Sequence, residues 1–338
     1  MTPPIVSIIL PTCNDLLYIE TTIRAVCAQS FTNFELIVID DGSSDETPVR
    51  LRSLLASDPR LRYVRQNRAG LALARNTGLD QVQGRFVAFV AAGDFPAPSF
   101  LLAMVSAAEK TAADLVICGA QTFDDGQPCV FAAQPEQIKE LDGVSGLRDL
   151  LSGAIPAEIG NRLYRKETLG MLRFLPGLGL SENWEYGVRV LIGAGRLCLL
   201  SQPLYGVRRR LADPEFKHQP QVIEARMRGA QIIKHSLVNA GLWQNCKTEF
   251  QIMAARQLGY GGFNDLIHAP SINWSLYDKL LEALKQDAEL SASRVNALAL
   301  EPELKRWLGL PLIHRKLGRW FLAYQFRRLQ RARARQAA

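Results

Sequence analysis

Short apolar runs alternate with helical periods along the first 120 residues of the chain. The runs cover residues 6–10, 35–39, 61–65, 86–90 and 114–118, and turn-forming residues bound each of them. Runs that are apolar through their middle are typical of strands buried on both faces of a mostly parallel sheet. Helical spacing predicts helices over residues 18–29, 48–56, 71–80 and 98–110 between the runs, with Thr47 placed to cap the second. The alternation predicts an α/β fold, a Rossmann-like sheet with helices on both faces and right-handed crossovers.

The pattern changes twice further along the chain. Residues 120–205 are mixed and richer in Gly and Pro, and no strand pattern follows residue 212. A helix is predicted over residues 222–240, because Ile223, Ile233 and Leu237 share one face and Gly241 stands where a helix stop is expected. We therefore predict an α/β domain over residues 1–211, with a first half to residue 120 and a substrate-facing half over 121–211. A helical region would then occupy residues 212–338.

Composition supports an ordinary globular core, since 48% of the 338 residues are hydrophobic and 22% are charged. The six cysteines form no CxxC pair, which indicates reduced thiols. No run approaches the roughly 18 apolar residues of a membrane span, and the first residues lack the features of a signal peptide. From these features we expect a cytosolic protein.

Charge is unevenly distributed, and this asymmetry changes the expected partners. The net charge is +7, and ten basic residues but no acidic ones follow Glu303. An anionic partner is indicated, either a membrane surface or a nucleic acid. The nucleic-acid alternative is the weaker one, because no nucleic-acid-binding motif accompanies the basic tail.

An amphipathic stripe lies within this basic segment of residues 313–335. The apolar stripe consists of Ile313, Leu317, Trp320, Phe321 and Tyr324. Basic residues, Arg315 and Arg319, lie opposite to it. The stripe is typical of attachment to a membrane surface, but it would equally suit packing on the protein's own body. The sequence leaves both open.

Polar residues follow the first two predicted strands. Pro11, Thr12 and Asn14 end the first strand, and Asp40 and Asp41 end the second, just before a glycine. Ligands bind at the carboxyl ends of strands in open parallel sheets, so we expect these segments to meet at one crevice. A carboxylate there can accept hydrogen bonds from a base or ribose, although the run DDGSSD alone would also suit a solvated turn.

A third segment begins the helix predicted after residue 70. Asn67 and Gly70 precede it, and Arg75 lies within it. A glycine that opens a helix leaves N–H groups and the positive end of the dipole available to an anionic ligand. The alternative is a capped helix with a surface arginine.

Together these pieces resemble family 2 glycosyltransferases. The resemblance covers residues 5 to about 210 and rests on VSIILPT (6–12), LIVIDDGSSD (36–45), residues 67–78, and later pieces at 161–165, 174–186 and 203–209. It implies a GT-A fold and inverting transfer from a nucleotide-diphosphate sugar, usually UDP-linked, to a glycan or lipid-linked acceptor, as in bacterial surface-polysaccharide assembly. Residues 1–120 would be the nucleotide-binding half and 121–211 the acceptor half. Pro11, Thr12, Asp40 and Asp41 would hold the nucleoside, and Arg75 would lie near the diphosphate.

The metal site that the resemblance implies is altered in this chain. Family members usually end the fourth strand with Asp-x-Asp-Asp, whose carboxylates hold Mg²⁺ or Mn²⁺ against the diphosphate. Here the segment reads Ala91, Ala92, Gly93 and Asp94, so Asp94 is the sole candidate ligand. A hard divalent cation needs several oxygen ligands. The sequence therefore predicts weak metal dependence or none.

The catalytic base is altered as well. Asn183 stands where the resemblance would put the aspartate that takes the acceptor's proton, and an amide cannot serve as a base. Glu182 and Glu185 are the substitutes nearest in sequence. Two hypotheses remain. The chain is an active transferase with a replaced base, or it is a catalytically degenerate protein that kept the fold for nucleotide-sugar binding or scaffolding.

Overall fold

The computed structural model describes residues 3–55, 58–132, 134–209 and 220–337. The chain divides into two compact units. The first unit comprises residues 1–146, 158–176 and 189–212, and the second comprises 147–157, 177–188 and 213–338. The predicted boundary between residues 211 and 212 lies outside the described residues.

A single mixed sheet forms the centre of the first unit. Within the described residues it contains β1 (Val6–Thr12), β2 (Phe34–Asp41), β3 (Leu61–Gln66), β4 (Phe86–Phe89), β5 (Phe95–Pro96), β6 (Leu115–Asp124), β7 (Ile138–Asp142), β8 (Arg162–Arg165) and β9 (Arg196–Arg209). The strand order is β3-β2-β1-β4-β8-β6-β9-β5, and β7 pairs with β9. The β3-β2-β1-β4 part is parallel throughout, whereas β8 runs antiparallel to both β4 and β6. The predicted α/β class is confirmed.

Alternate residues of the inner strands explain why both faces of the sheet need helices. Leu36 and Val38 of β2 pack into one core, whereas Ile37 and Ile39 pack into another on the opposite face. Every residue of β1 and β2 is buried, as the apolar runs predict. The edge strand β3 is only partly buried, because no further strand covers it.

The helices of the first half lie close to their predicted positions. They are α1 (Ile19–Cys27), α2 (Thr47–Leu55), α3 (Leu71–Leu79) and α4 (Phe100–Thr111). Ile19 and Ile23 of α1 join Leu101 and Met104 of α4 in the larger core. Ala74 of α3 packs with the residues of the opposite face. Three further helices follow, α5 (Gly143–Ser152), α6 (Lys166–Leu169) and α7 (Glu182–Gly193).

The described residues from 220 to 337 form helices joined by short loops, as predicted. The helices are α8 (Pro220–Asn239), α9 (Trp243–Ala254), α10 (Gly262–His268), α11 (Trp274–Glu282), α12 (Ala292–Ala297), α13 (Pro302–Ile313) and α14 (Arg315–Ala337). Ile223, Ile233 and Leu237 form the buried face of α8, and Gly241 follows the helix with a φ of 70°. A π-helical segment, Ala255–Gly261, joins α9 to α10. Among the described residues, no helix combines the length and the hydropathy that crossing a membrane would require.

A buried polar network fixes the start of the sheet. The Ser7 hydroxyl donates to Glu35 Oε1 at 2.6 Å, and the Gln83 amide donates to the same oxygen at 2.9 Å. The second oxygen of Glu35 accepts a hydrogen bond from Arg62 at 2.8 Å. Glu35 is 6% exposed, so water cannot replace these contacts.

We predict that Glu35→Ala lowers the free energy of unfolding by about 3 kcal/mol, because it leaves buried donors without an acceptor. Urea titration measures the change. Glu109→Ala is the matched control, since it removes the same charge from an exposed ion pair with Arg85 and should cost less than about 1 kcal/mol. Equal losses for the two variants would contradict the role of the network.

Candidate functional site

The carboxyl ends of β1 and β2 lie side by side, as their sequences predict. Thr12 is opposite Asp40 in the parallel register, and Pro11 is opposite Ile39. The loops beyond them are also joined. Asn14, with a φ of 56°, accepts a hydrogen bond from the Ser44 amide at 2.8 Å through its side-chain oxygen. The two predicted strand ends therefore form one continuous edge.

Asp40 is fully buried at this edge. One of its oxygens accepts a hydrogen bond from the Tyr63 hydroxyl at 2.7 Å, and the other accepts one from the Ser43 amide at 2.9 Å. Arg65 lies 3.6 Å from the carboxylate, which gives the buried charge a partner. Burial and the Asp40 contact raise the pKa of Tyr63 to about 12, so this phenol stays protonated as a donor at neutral pH.

Asp41 ties the end of β2 to the loop before α3. Its Oδ1 accepts hydrogen bonds from the Gln66 side chain at 2.7 Å and from the Ala69 amide at 2.8 Å. Its Oδ2 accepts one from the Gly70 amide at 2.8 Å. Two backbone amides at the start of α3 thus bind a carboxylate of the protein itself. The negative charge lies where the helix dipole favours it.

Gly42 is required for this arrangement. It has a φ of 70°, and a Cβ atom there would lie 2.7 Å from the Arg68 backbone nitrogen. Any side chain would therefore push residues 66–70 away from β2. The outer part of that loop, Asn67 to Gly70, is exposed and borders the strand ends.

Arg75 lies on α3 and is 8% exposed. Its guanidinium carbon is 4.9 Å from the centre of the Phe174 ring. The Asn76 side chain holds the backbone of Phe174 with two hydrogen bonds. Its Nδ2 donates to the Phe174 carbonyl at 2.9 Å, and its Oδ1 accepts from the Phe174 backbone N–H at 2.8 Å. The predicted cation of α3 therefore makes a cation–π contact with an aromatic ring whose backbone Asn76 holds.

Asp94 sits in a hydrogen-bond network that the sequence does not predict. Its Oδ2 accepts from the Tyr205 hydroxyl at 2.9 Å, and its Oδ1 accepts from the Arg208 amide at 3.1 Å. The Arg208 side chain donates to the Gly93 carbonyl at 2.9 Å and to Asp125 at 2.9 Å. Burial and the neighbouring Asp94 raise the pKa of Tyr205 well above its ordinary value.

The Asp94 network leaves residues 91–94, which follow β4, poorly suited to binding a divalent cation. Both oxygens of Asp94 already accept hydrogen bonds, and Ala91 and Gly93 have no side-chain oxygen to offer. Within the described ranges, no cluster of three or more His, Cys, Asp or Glu residues could hold a metal ion. The side chains present at the end of β4 do not fit the metal that the family resemblance implies.

The start of α7 carries the candidate bases. A 3₁₀ turn, Gly179–Ser181, leads into Glu182, which already has helical dihedrals with φ −56° and ψ −46°. Glu182 and Asn183 are half-buried, whereas Glu185 is 1% exposed. Because successive helical residues point about 100° apart, Glu182 does not take the direction of Asn183. Of the two glutamates, Glu182 is the more accessible.

Several residues that contact the candidate site residues were not predicted as part of the site. Tyr63 and Gln66 contact Asp40 and Asp41, and Tyr205, Arg208 and Asp125 belong to the network around Asp94. The pairing of β2 with β3 contained a usable signal, since Arg65 and Gln66 lie opposite Asp40 and Asp41 in the register. No comparable signal marks Asp125, which follows β6 and reaches Arg208 only through the fold.

Comparison with known proteins agrees with this architecture. The Glycosyl transferase family 2 model matches residues 7–167. EpsH of Bacillus subtilis strain 168, which bears a glycosyltransferase name, is 27% identical over 231 residues, 67% of each chain. The glycosyltransferase GlyA of Streptococcus pneumoniae serotype 4 is 26% identical over 214 residues, which are 61% of this chain and 30% of GlyA. The crystal structure of S. aureus TarS 1-349 with UDP-GlcNAc superposes with a TM-score of 0.71 over 94% of this chain and 91% of that one, at 18% identity.

We predict that Asp41→Asn accelerates hydrogen exchange at the Ala69 and Gly70 amides by more than about tenfold, because an amide cannot replace both charge-assisted acceptors. Mass spectrometry of peptides that cover residues 66–70 measures the change. Asp45→Asn is the control, since Asp45 accepts from Thr47 in a different loop. Unchanged exchange in the Asp41 variant would show that its carboxylate does not hold the loop.

Proposed function

We propose a sugar-transfer function on the premise that the chain belongs to glycosyltransferase family 2 through residues 7–167. The proposed reaction moves a hexose-type sugar from a UDP-linked donor to a glycan or lipid-linked acceptor, with inversion at the anomeric carbon. The observation that carries the proposal is the paired edge of β1 and β2, where Thr12 ends β1 and Asp40 and Asp41 end the adjacent parallel strand β2. Ligands of open α/β sheets bind at this edge.

In this proposal the nucleoside occupies the edge formed by Pro11, Thr12, Asn14, Asp40 and Asp41. The two aspartates shape the edge through the contacts they make to Tyr63 and to the Ala69 and Gly70 amides. Asn67 and Gly70 belong to the exposed loop beside it. The UDP-linked class is favoured because the TarS structure that superposes on 94% of this chain holds UDP-GlcNAc.

Sugar transfer requires a positive group that stabilises the negative charge developing on the departing nucleoside diphosphate. As the acceptor oxygen bonds to the anomeric carbon, the bond from that carbon to the phosphate oxygen breaks, and its electron pair leaves with the nucleoside diphosphate. A fixed cation stabilises the charge that develops there. We assign this part to Arg75, whose guanidinium already contacts the Phe174 ring.

The acceptor's proton also needs a base. We assign it to Glu182, because Asn183 cannot accept a proton and Glu185 is 1% exposed. Asp94 is assigned a positioning part, since both of its oxygens are engaged by Tyr205 and Arg208. The setting we propose is the cytosolic face of a membrane, where a lipid-linked acceptor would be met.

A panel of UDP- and GDP-linked hexoses tests this function directly. Release of the nucleoside diphosphate, with and without candidate glycan or lipid-linked acceptors, should occur with at least one UDP-sugar and more slowly with its GDP counterpart. Binding of UDP with no turnover across the panel would instead support the nucleotide-sugar-binding alternative. Turnover with GDP-sugars alone would contradict the proposed donor.

We predict that EDTA changes turnover by less than about twofold, because the end of β4 offers too few oxygens for a divalent cation. The comparison is between EDTA-treated protein and protein supplied with Mg²⁺ or Mn²⁺. A loss of several hundredfold on chelation, restored by the metal, would show that other oxygens complete a metal site.

We predict that Glu182→Gln lowers turnover by about 10²- to 10⁴-fold, the usual contribution of a general base, while affinity for UDP changes little. Asn183→Asp should then have a small effect, since the base is already supplied. Glu167→Gln is the control, because Glu167 also lies in the first turn of a helix, at α6.

Two outcomes would contradict this assignment. A large gain in turnover for Asn183→Asp would show that the chain lacks a working base as it stands. No change in either variant would remove the start of α7 from the chemistry.

A further inference from the structure

The last helix, α14, packs against the other helices of the second unit through two arginines near its start. Arg315 and Arg319 both bind the Asp278 carboxylate of α11. Gly318 and Leu322 of α14 are buried, and a Cβ atom at Gly318 would collide with Tyr277 and Pro311. The face that carries Gly318, Arg319 and Leu322 is therefore the one that packs on the protein.

The opposite face of α14 presents apolar side chains outward. Leu317 is 47% exposed, Trp320 66% and Tyr324 54%, at positions i, i+3 and i+7 of the helix. Ile313, at the end of α13, is 63% exposed. Phe321 is the member of the predicted stripe that packs inward, with its ring 5.4 Å from that of Trp307. Packing on the protein's own body thus involves the arginines and Phe321, and it leaves most of the stripe uncovered.

Basic residues continue this outward face. Arg327, Arg328 and Arg331 follow Tyr324 at spacings that place them on the same side of the helix as Leu317 and Trp320. With Tyr324 they line a recess of about 520 Å³. Three guanidinium groups beside an open recess are suited to phosphate oxygens, which arginine binds in a fork-like geometry.

The presence of aromatic, apolar and basic side chains on one face favours a membrane over a nucleic acid as the partner. Tryptophan and tyrosine favour the boundary between lipid headgroups and acyl chains, where one part of the ring is apolar and the other is hydrated. Arginines on the same face favour an anionic leaflet. A nucleic acid would use the arginines but would leave the exposed Leu317 without an apolar partner.

We propose that the outward face of α14, formed by Leu317, Trp320, Tyr324, Arg327, Arg328 and Arg331, docks on the surface of an anionic phospholipid membrane. The helix lies in the plane of the interface, with its apolar residues among the headgroups and its arginines on lipid phosphates. This surface deepens the proposed function, because it would hold the enzyme where a lipid-linked acceptor resides.

Co-sedimentation with vesicles tests the proposal on the full chain, without any sugar donor, so that failure of vesicle binding and failure of transfer are separate results. Vesicles of phosphatidylcholine alone are compared with vesicles that also contain phosphatidylglycerol. We expect binding to the anionic vesicles only, with Trp fluorescence shifted to the blue.

Two sets of substitutions separate the apolar and basic contributions. The combined change Arg327→Gln, Arg328→Gln and Arg331→Gln should weaken binding by about 100-fold, at roughly fivefold per charge. The combined change Leu317→Ser and Trp320→Ser should abolish the fluorescence shift and weaken binding by at least about tenfold. All five side chains are exposed or partly so, and unchanged melting temperatures would verify that the variants fold.

Matched controls remove the same groups elsewhere on the surface. Arg24→Gln, Arg52→Gln and Arg196→Gln remove three exposed charges, and Leu17→Ser with Met171→Ser removes two exposed apolar side chains. Neither control should change binding by more than about twofold. Equal weakening by the controls, binding to neutral vesicles, or no vesicle binding at all would overturn the proposal. Capture of RNA by the wild type in place of vesicles would assign the face to nucleic acid and overturn it too.

Discussion

The Asp41 carboxylate is the contact on which the described site depends. It joins the end of β2 to Gln66 and to the Ala69 and Gly70 amides, so one buried charge holds a strand, a loop and a helix start together. Gly42 permits the close approach of that loop because it has no Cβ atom. Burying a carboxylate is energetically unfavourable unless its oxygens are hydrogen-bonded, and three donors bind the oxygens of Asp41 here. The shape of the edge is therefore set before any ligand arrives.

The sequence predicts this edge well for a physical reason. Apolar runs buried on both faces identify β1 and β2, and residues that end adjacent parallel strands must lie near each other. The same reasoning predicts α8, whose apolar face matches the buried residues Ile223, Ile233 and Leu237. Patterns of this kind depend on local spacing, which the chain shows directly.

Other features depend on contacts between distant residues. Asp94 looks like a lone metal ligand in the sequence, but Tyr205 and Arg208, more than 100 positions away, take up both of its oxygens. The orientation of α14 is a second example. Its two faces are both plausible packing surfaces in the sequence, and the choice is made by Asp278, which binds Arg315 and Arg319. Whether Glu182 or Glu185 is accessible likewise becomes visible only in the fold.

Calorimetry with UDP tests most directly the claim that the edge of β1 and β2 holds the nucleotide. We predict that the wild type binds UDP and that Asp41→Ala weakens binding by at least about tenfold through loss of the ordered loop. Asp45→Ala, on the neighbouring exposed loop, should change the affinity by less than about threefold. Equal affinity of the wild type and the Asp41 variant, with both folded, would place the nucleotide elsewhere and contradict this assignment of the site.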